Sequence, residues 1–482
     1  MSRHFKSILL ALLIIGISGC AVGPNFQKPV VNSPAEFRFD LTGEDTTEIL
    51  SWWELFNDPV LDTLVKIALK ENRDVRIAAS RIEEARANMR FNKASMWPYI
   101  GYEGNISSGN LNNVLTPPGN TDYFTNYYAA PVLSWEIDIW GKYRRLTESA
   151  REEMFALEYS QRGIMISLIS EVASVYFQML DFDNRLEISR STLVSRQEYL
   201  NIMQERYDKG IVAEIDVNQA QIQEAIAAAA VPQYERLVAN TEHGLSILLG
   251  RNPGPVIRGA KLQEQVIPPD IPPGLPSNLV QRRPDVMETE RYVAAQNAMI
   301  GYAQALRFPT FSLTGLLGVA SPELSTAALN AAWAVSGTVF GPIFNFGKNK
   351  RRVEVERKRT EQAYLMYDQA VLNAFRETED ALISVTTYKD ELAAVIRQRD
   401  AAANAAMLSK ARYDEGITSY LEVLDSERTL FDASLNASAT LQYRLNSYVD
   451  LYKAIGGGWL SPEEKTAAEQ AAAEQAADNP NK

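Results

Sequence analysis

Little in these 482 residues can do covalent chemistry. The chain holds one cysteine, Cys20, and two histidines, His4 and His243. So few imidazoles exclude a His-rich metal site, and His243 alone makes a Ser-His-Asp or Cys-His arrangement hard to build. Gly341 to Gly347-Lys348 has the outline of a phosphate loop. However, five residues separate the glycines where four are needed, and Asn349 stands where a Ser or Thr must be. Acidic pairs are plentiful and read best as solvated helix faces. No catalytic residue, metal ligand or cofactor is expected. The one reactive position is Cys20. It follows a short basic start (Arg3, His4, Lys6), an apolar run from Ile8 to Ile15, and Ile17-Ser18-Gly19. That is the shape of a bacterial lipoprotein signal, residues 1–19, ending at a cysteine whose sulfur becomes acylated. The run is shorter than the roughly 20 residues a spanning helix needs. Ala21 rather than Asp after the cysteine fits sorting to an outer membrane.

Charge narrows the partners. The formal net charge is -12, and loss of Arg3 and Lys6 with the signal makes it -14, so nucleic acid is not expected to bind. With 46% hydrophobic residues the chain can bury several cores or form one elongated body. No window after residue 20 is expected to be a transmembrane helix.

The elements that position these residues come in two sets. Arg206-Tyr207-Asp208-Lys209-Gly210-Ile211 recurs as Arg412-Tyr413-Asp414-Glu415-Gly416-Ile417, and the same offset carries Gly141-Lys142 onto Gly347-Lys348. A constant spacing over this length predicts one architectural unit used twice. From about Tyr143 to Asp208 there is no proline, and a heptad spacing runs through Met165, Leu168, Val172, Val175 and Met179. A helix of that length is on the order of 100 Å long. Gly210 and Gly416 are expected as left-handed caps, after which helices return over about 215–249 and 421–455. Further helical pieces, Val60 to Met96 and Asn278 to Leu306, precede the two halves. The domain reading is a lipid-anchored extended segment over 20–59, a first repeat over 60–266, a Pro-rich linker over 267–277, a second repeat over 278–460 and a disordered tail over 461–482. Each repeat holds a β-hairpin, at about 98–140 and 308–346, and a long helical hairpin, at 143–250 and 350–456.

The hairpins alternate. Leu133, Trp135, Ile137 and Ile139 oppose Ser134, Glu136 and Asp138; Phe311, Leu313, Leu317 and Val319 oppose Thr310, Ser312 and Thr314; and Ile100, Tyr102 and Ile106 oppose Glu103, Asn105 and Ser107. A fourth, less regular strand is expected over Ala334 to Asn345 through Val335, Val339 and Ile343. Two-faced strands suit either half of a soluble sandwich or a barrel with lipid outside and water inside, and the carboxylates favour the barrel. Four strands cannot close one, so several chains must contribute.

The chain resembles the outer-membrane efflux lipoproteins that serve tripartite resistance pumps, relatives of the TolC channel. The marks are Cys20-Ala21-Val22-Gly23-Pro24-Asn25-Phe26, Trp52-Trp53-Glu54-Leu55-Phe56-Asn57-Asp58-Pro59, Arg282-Arg283-Pro284-Asp285-Val286, and Tyr420-Leu421-Glu422-Val423-Leu424-Asp425-Ser426-Glu427-Arg428. The resemblance implies a mixed α and β membrane protein. It would be a homotrimer in which each chain gives four strands to one 12-stranded barrel, continued by a periplasmic helical barrel. It also implies an exit duct gated by rings of Leu421 and Asp425, with Arg428 one turn onward. A periplasmic adaptor protein and an inner-membrane resistance-nodulation-division transporter would be the partners, beside outer-membrane lipids. Adaptor contact is expected at the tips, over Arg206, Tyr207, Asp208 and Gly210 and over Arg412, Tyr413, Asp414 and Gly416. Drugs, solvents or metal ions such as copper or silver are all compatible cargo. Two alternatives stand beside this: a protein-export duct for type I secretion, and a periplasmic scaffold lipoprotein without a pore.

Overall fold

The structure, a computed structural model, describes residues 21–31, 33–34, 36–39, 52–110, 123–269 and 276–457. The signal, Cys20, the tip of the first β-hairpin, part of the Pro-rich linker and the C-terminal tail lie outside the described residues. The helices are α1 (Pro59–Glu71), α2 (Arg73–Ala94), α3 (Lys142–Asp208), α4 (Glu214–Leu248), α5 (Pro276–Arg282), α6 (Pro284–Ala305), α7 (Lys348–Asp414) and α8 (Tyr420–Ala454). The strands are β1 (Tyr99–Asn110), β2 (Tyr123–Ile137), β3 (Thr310–Ser321) and β4 (Ala331–Phe340). α3 and α7 each run 67 residues and α4 and α8 each 35. The chain divides into two compact units, and each draws segments from both halves of the sequence.

One unit holds the sheet. It is antiparallel in the order β1-β2-β3-β4, with β1 and β4 at its open edges. The register lines up most of the large apolar positions of the four strands on one face. Ile100 and Ile106 stand opposite Leu133 and Tyr127, Trp135 and Ile137 opposite Leu313 and Phe311, and Leu317 opposite Trp333. The other face collects Asn105, Ser107, Asn126, Ser134, Thr314 and Ser336 with Glu103 and Glu136. A slip of one residue would reverse every strand, so the two-faced pattern fixes the register. Pro131 sits within β2, where it has no N–H to give. The β2–β3 pairing skips Ala130 and Pro131, and Gly318 lets the backbones crowd there, since a Cβ on it would lie 2.2 Å from the Ala129 carbonyl. The fourth strand differs from expectation. It starts at Ala331 and stops at Phe340, so Val335 and Val339 lie in it and Ile343 lies beyond its end.

The same unit fastens the residues that follow Cys20. Val22 donates its N–H to the Trp140 carbonyl (3.0 Å), and buried Arg145 donates to the Val22 and Gly23 carbonyls and to Asn25. Gly23, Gly141 and Gly301 allow the passage: an added Cβ would lie 2.4–2.6 Å from the opposing chain at each.

The other unit holds a helical core in which Trp52, Phe56, Leu61, Val172, Tyr176, Phe177, Leu245 and Tyr452 are buried together. Trp52 stacks on Tyr452 at 5.0 Å. Asp58, 1% exposed, caps α1 through the Val60 and Leu61 amides and accepts from Tyr176 Oη (2.7 Å) and Gln265 Nε2 (2.8 Å). Burial and the Asp58 carboxylate push the Tyr176 phenol well up. An 18-residue stretch of α3 is apolar enough, at mean hydropathy 1.5, to cross a membrane by length and composition, contrary to the sequence expectation. Over half of it is buried within the protein, so its apolar character serves helix packing.

The helical pieces ahead of each half are broken rather than continuous. The first stops at Asn72, whose Oδ1 caps α2 through the Asp74 and Val75 amides and whose Nδ2 donates to the Leu248 carbonyl (2.9 Å). The second stops at Arg283, ahead of Pro284, and Arg283 Nη1 donates to the Ala454 carbonyl (3.1 Å). Leu248 and Ala454 are the last residues of α4 and α8. One device therefore ties both returning helices, with different side chains. Gly250 and Gly456 follow at φ 67° and 89°. A Cβ on Gly250 would lie 2.3 Å from the Glu71 carbonyl, whereas on Gly456 it would lie 3.2 Å from that of Arg282. At the helix tips, Gly416 (φ 73°) meets nothing within 4 Å.

A graded series is expected. Gly416→Ala carries only the left-handed penalty of about 1–2 kcal/mol, Gly456→Ala somewhat more, and Gly250→Ala the most because backbone must move. Denaturation midpoints of the purified variants test the order, and equal shifts would contradict the close approach at Gly250.

Candidate functional site

The tips of the long helices lie in the second unit. Each closes in the same way. The amide of Gly210 bonds the Tyr207 carbonyl and that of Ile211 the Arg206 carbonyl, both at 2.8 Å; Gly416 to Tyr413 and Ile417 to Arg412 repeat this at 2.9 Å. Both glycines have positive φ, which closes the helix ends as the Gly positions predict.

The two hairpins are joined just above the turns by aromatic rings. Tyr199 of α3 stacks on Tyr420 of α8 at 5.2 Å and 5°, and Tyr413 of α7 tilts against both. Arg206 lies over the Tyr413 ring and donates to its hydroxyl (3.0 Å), while Lys410 lies over Tyr199. Met203, Val217, Ala220, Val423 and Leu424 fill the space beneath. Burial pushes the Tyr199 and Tyr420 phenols up, so both stay neutral at physiological pH. Arg412 pairs with Glu422 (2.8 Å), and Glu422 also accepts from Thr418.

The sequence-selected positions divide. Arg206 and Tyr413 join in this cluster, whereas Tyr207 is exposed and Asp208 accepts from Gln204 (3.0 Å) on the outer side. Leu421 is 59% exposed, and Asp425 and Arg428 pair at 2.7 Å with side chains 70% and 60% exposed. The Asp414 carboxylate takes part in no side-chain hydrogen bond or ion pair among the described residues. Arg283 of the sequence motif turns out to hold structure. It grips Asp285 (2.7 Å), Glu377 (2.7 Å) and the Ala454 carbonyl.

Sequence reasoning missed Arg196. It is buried on α3, donates to the Gln223 carbonyl (2.7 Å) and lies over the Phe431 ring of α8 at 5.0 Å. Its Nε and Nη2 have no partner among the described residues, and burial lowers its proton affinity. Glu427 lies on the same stretch of α8. Burial raises its carboxyl above the usual value, against the pull of Arg196 and Lys410. A lone Arg within a helical heptad carries no sequence signal that would set it apart from solvated neighbours.

A sheet with one apolar and one polar face, held by chain segments that continue into long helical hairpins, defines an outer-membrane channel with the TolC-like fold. The sequence matches the outer membrane efflux protein family over residues 64–251 and 275–457, and the chain belongs to that family. It is similar to the solvent efflux pump outer membrane protein SrpC of Pseudomonas putida, 33% identical over 94% of this chain and 98% of that one. It is also similar to the cation efflux system protein CusC of Escherichia coli K12, 32% identical over 92% of this chain and 97% of that one. The Campylobacter jejuni CmeC outer membrane channel superposes with a TM-score of 0.86 at 25% identity, covering 93% of this chain and 98% of that one. The protein is thus an outer-membrane exit duct of an efflux system, and a channel rather than an enzyme.

Because its pKa is raised, Glu427 holds its proton to higher pH in the folded chain than in the unfolded one. The fold then binds more protons in the window just above the ordinary value of 4.5, so this residue's contribution to stability falls as pH rises through that window. Glu427→Gln is expected to flatten the dependence. Melting curves between pH 4.5 and neutrality check it, and an unchanged slope in the variant would remove Glu427 as its source.

Proposed function

We propose that three copies of this chain form a lipid-anchored, 12-stranded duct that conducts small toxic solutes passively outward and is shut at its periplasmic tips by Leu421, Asp425 and Arg428. The observation that carries the reading is the sheet. Its register gathers most large apolar side chains on one face and the carboxylates Glu103 and Glu136 on the other, yet β1 and β4 remain open at the edges. Open edges are intolerable in hydrocarbon, so closure needs strands from other copies. SrpC and CusC are named for solvent and cation efflux, which supports small toxic solutes of those classes as cargo.

The gate reading draws support from an asymmetry between the halves. Leu421, Asp425 and Arg428 of α8 correspond, 206 positions earlier, to Ile215, Gln219 and Ile222 of α4 (421 to 215). Only α8 places an exposed charged pair there. Exposed ion pairs stabilise by about 0–1 kcal/mol, so Asp425–Arg428 contributes little to a single protomer. Brought together by symmetry, three carboxylates would repel, and each Arg428 can offset that repulsion within or between chains. The exposed Leu421 side chains would add an apolar constriction. The tips over Arg206 to Gly210 and Arg412 to Gly416 are where a periplasmic adaptor, itself bound to an inner-membrane transporter, would dock. Anchoring through a lipid on Cys20 is supported by the next residues, Ala21 to Asn25, being pinned beside Trp140 and Gly141 where β2 ends and α3 begins. An acyl chain on Cys20 would then enter the membrane beside the barrel wall.

Asp425→Ala combined with Arg428→Ala is expected to raise single-channel conductance in planar bilayers, on the order of several-fold, and to increase antibiotic leakage into cells. Unchanged conductance would remove the gate. A deletion strain should become sensitive to drugs, solvents or metal ions. Loss of a secreted protein with unaltered sensitivity would instead favour type I export.

A further inference from the structure

The two strand-to-helix junctions of the sheet unit are built on the same sequence frame and differ where charge is concerned. In the first, Glu136-Ile137-Asp138-Ile139-Trp140-Gly141-Lys142 leads from β2 into α3; in the second, Pro342-Ile343-Phe344-Asn345-Phe346-Gly347-Lys348 leads from β4 into α7. At the first junction the cations are answered internally. Asp138 accepts from the Tyr143 and Arg144 amides and the Arg144 guanidinium, Glu136 pairs with Lys142 at 2.5 Å, and Trp140 stacks on Phe308 at 4.6 Å. At the second, Pro342 and Phe344 replace those two carboxylates. From Gly341 to Arg352 the chain carries Lys348, Lys350, Arg351 and Arg352 and no acid. Arg351 pairs with Glu354 (2.6 Å) and Arg352 lies over Tyr302, but Lys348 and Lys350 form no ion pair among the described residues.

The apolar side chains of this junction are equally unanswered. Ile343 is fully exposed, Phe344 is 76% and Phe346 91% exposed, and the two rings pack on each other at 4.6 Å. They follow directly on β4, whose Trp333, Val335 and Val339 are also exposed. An apolar collar that ends in a cluster of cations matches the boundary between acyl chains and phosphates.

We propose that the β4–α7 junction is a docking surface for anionic glycerophospholipid, with Ile343, Phe344 and Phe346 in the acyl–glycerol boundary and Lys348 and Lys350 on the phosphates. This rests on the reading of the sheet as lipid-embedded. Cations next to an anionic leaflet each add attraction, which salt screens. The β2–α3 junction, neutralised by Glu136 and Asp138, has no such preference, so each chain would carry one site.

The test uses the full-length acylated protein in mixed micelles of phosphatidylglycerol and phosphatidylethanolamine, with retained lipids counted by native mass spectrometry. The native chain should retain phosphatidylglycerol roughly tenfold over phosphatidylethanolamine at low salt, and lose that preference at about 1 M NaCl. Lys348→Gln with Lys350→Gln should bring the ratio close to parity. So should Phe344→Asp, which restores the acid found at Asp138. Lys389→Gln with Arg397→Gln, on the remote part of α7, should leave the ratio unchanged. The salt arm decides the question even where a variant does not fold. No preference in the native protein, or a preference that survives both junction variants, would overturn the proposal. Variants that dissociate the oligomer while keeping the lipid ratio would assign the surface to a second copy instead, with the same result. Failure of the lipid-embedded reading itself looks different, as a native chain that retains neither lipid and stays soluble without detergent.

Discussion

A bilayer offers no water to a peptide group, so every N–H and C=O of a spanning sheet must find a partner in protein. That requirement organises this molecule. Four strands satisfy one another internally and leave two edges, at β1 and β4, with an apolar face on which Ile100, Tyr102, Leu317, Trp333 and Val339 stand exposed. Such a sheet is incomplete as a soluble object and complete only as part of a closed wall. Even the irregular features respect the pairing rule. Pro131 is accommodated where the ladder is interrupted, and Gly318 allows the close backbone approach at the same place.

The helices follow from the same constraint. A closed wall needs its strands delivered in the right order and register, and each hairpin here enters and leaves through helices. The equal lengths of α3 and α7, and of α4 and α8, give both hairpins the same frame. Where the halves agree, the reason is backbone geometry, as in the left-handed glycines that end all four long helices. Where they diverge at matched positions, the divergence is what the proposed gate and the proposed lipid surface rest on. Asp138 against Phe344 changes a neutralised junction into a cationic one, and Gln219 against Asp425 puts a carboxylate at that position of α8 but not at its counterpart in α4.

Much of this is legible in the sequence because it follows from local periodicity. Alternation shows three strands clearly, proline-free heptads show the long helices, and Gly210 and Gly416 mark their ends. The expected fourth strand runs too far, toward Asn345, because Val335, Val339 and Ile343 keep a regular spacing that continues past the last paired residue, Phe340. The breaks at Asn72 and Arg283 escape a sequence reading for a different reason. Each depends on a side chain reaching a carbonyl more than 150 residues away, at Leu248 and Ala454, and no local pattern encodes that partner. The stacking of Tyr199 on Tyr420 and the buried position of Arg196 are likewise products of helix packing rather than of spacing. The family motif singles out the turn of α8 that carries Asp425 and Arg428, but it cannot show that both side chains remain exposed in a single chain.

That exposure bears on how a closed duct could open. Within one protomer the hairpins are joined by stacked tyrosines, a buried guanidinium over Phe431 and a shared apolar core. Aromatic pairs of this kind add about 0.5–1.5 kcal/mol beyond their burial, whereas an exposed ion pair adds about 0–1 kcal/mol. The tip is therefore firm inside each chain and weakly held at the surface where neighbours would meet. A partner can shift a two-state equilibrium only by the difference in its affinity for the two states. On the proposed gate, shallow contacts among three Asp425–Arg428 pairs would keep the gap between closed and open within a few kcal/mol, which a docking protein could supply without unpacking any protomer. Were the carboxylates buried and fully bonded instead, opening would need an interaction strong enough to break them. If the exposed pairs are the closure, as proposed, a duct that works repeatedly would open there and keep its strength in the tyrosine seam.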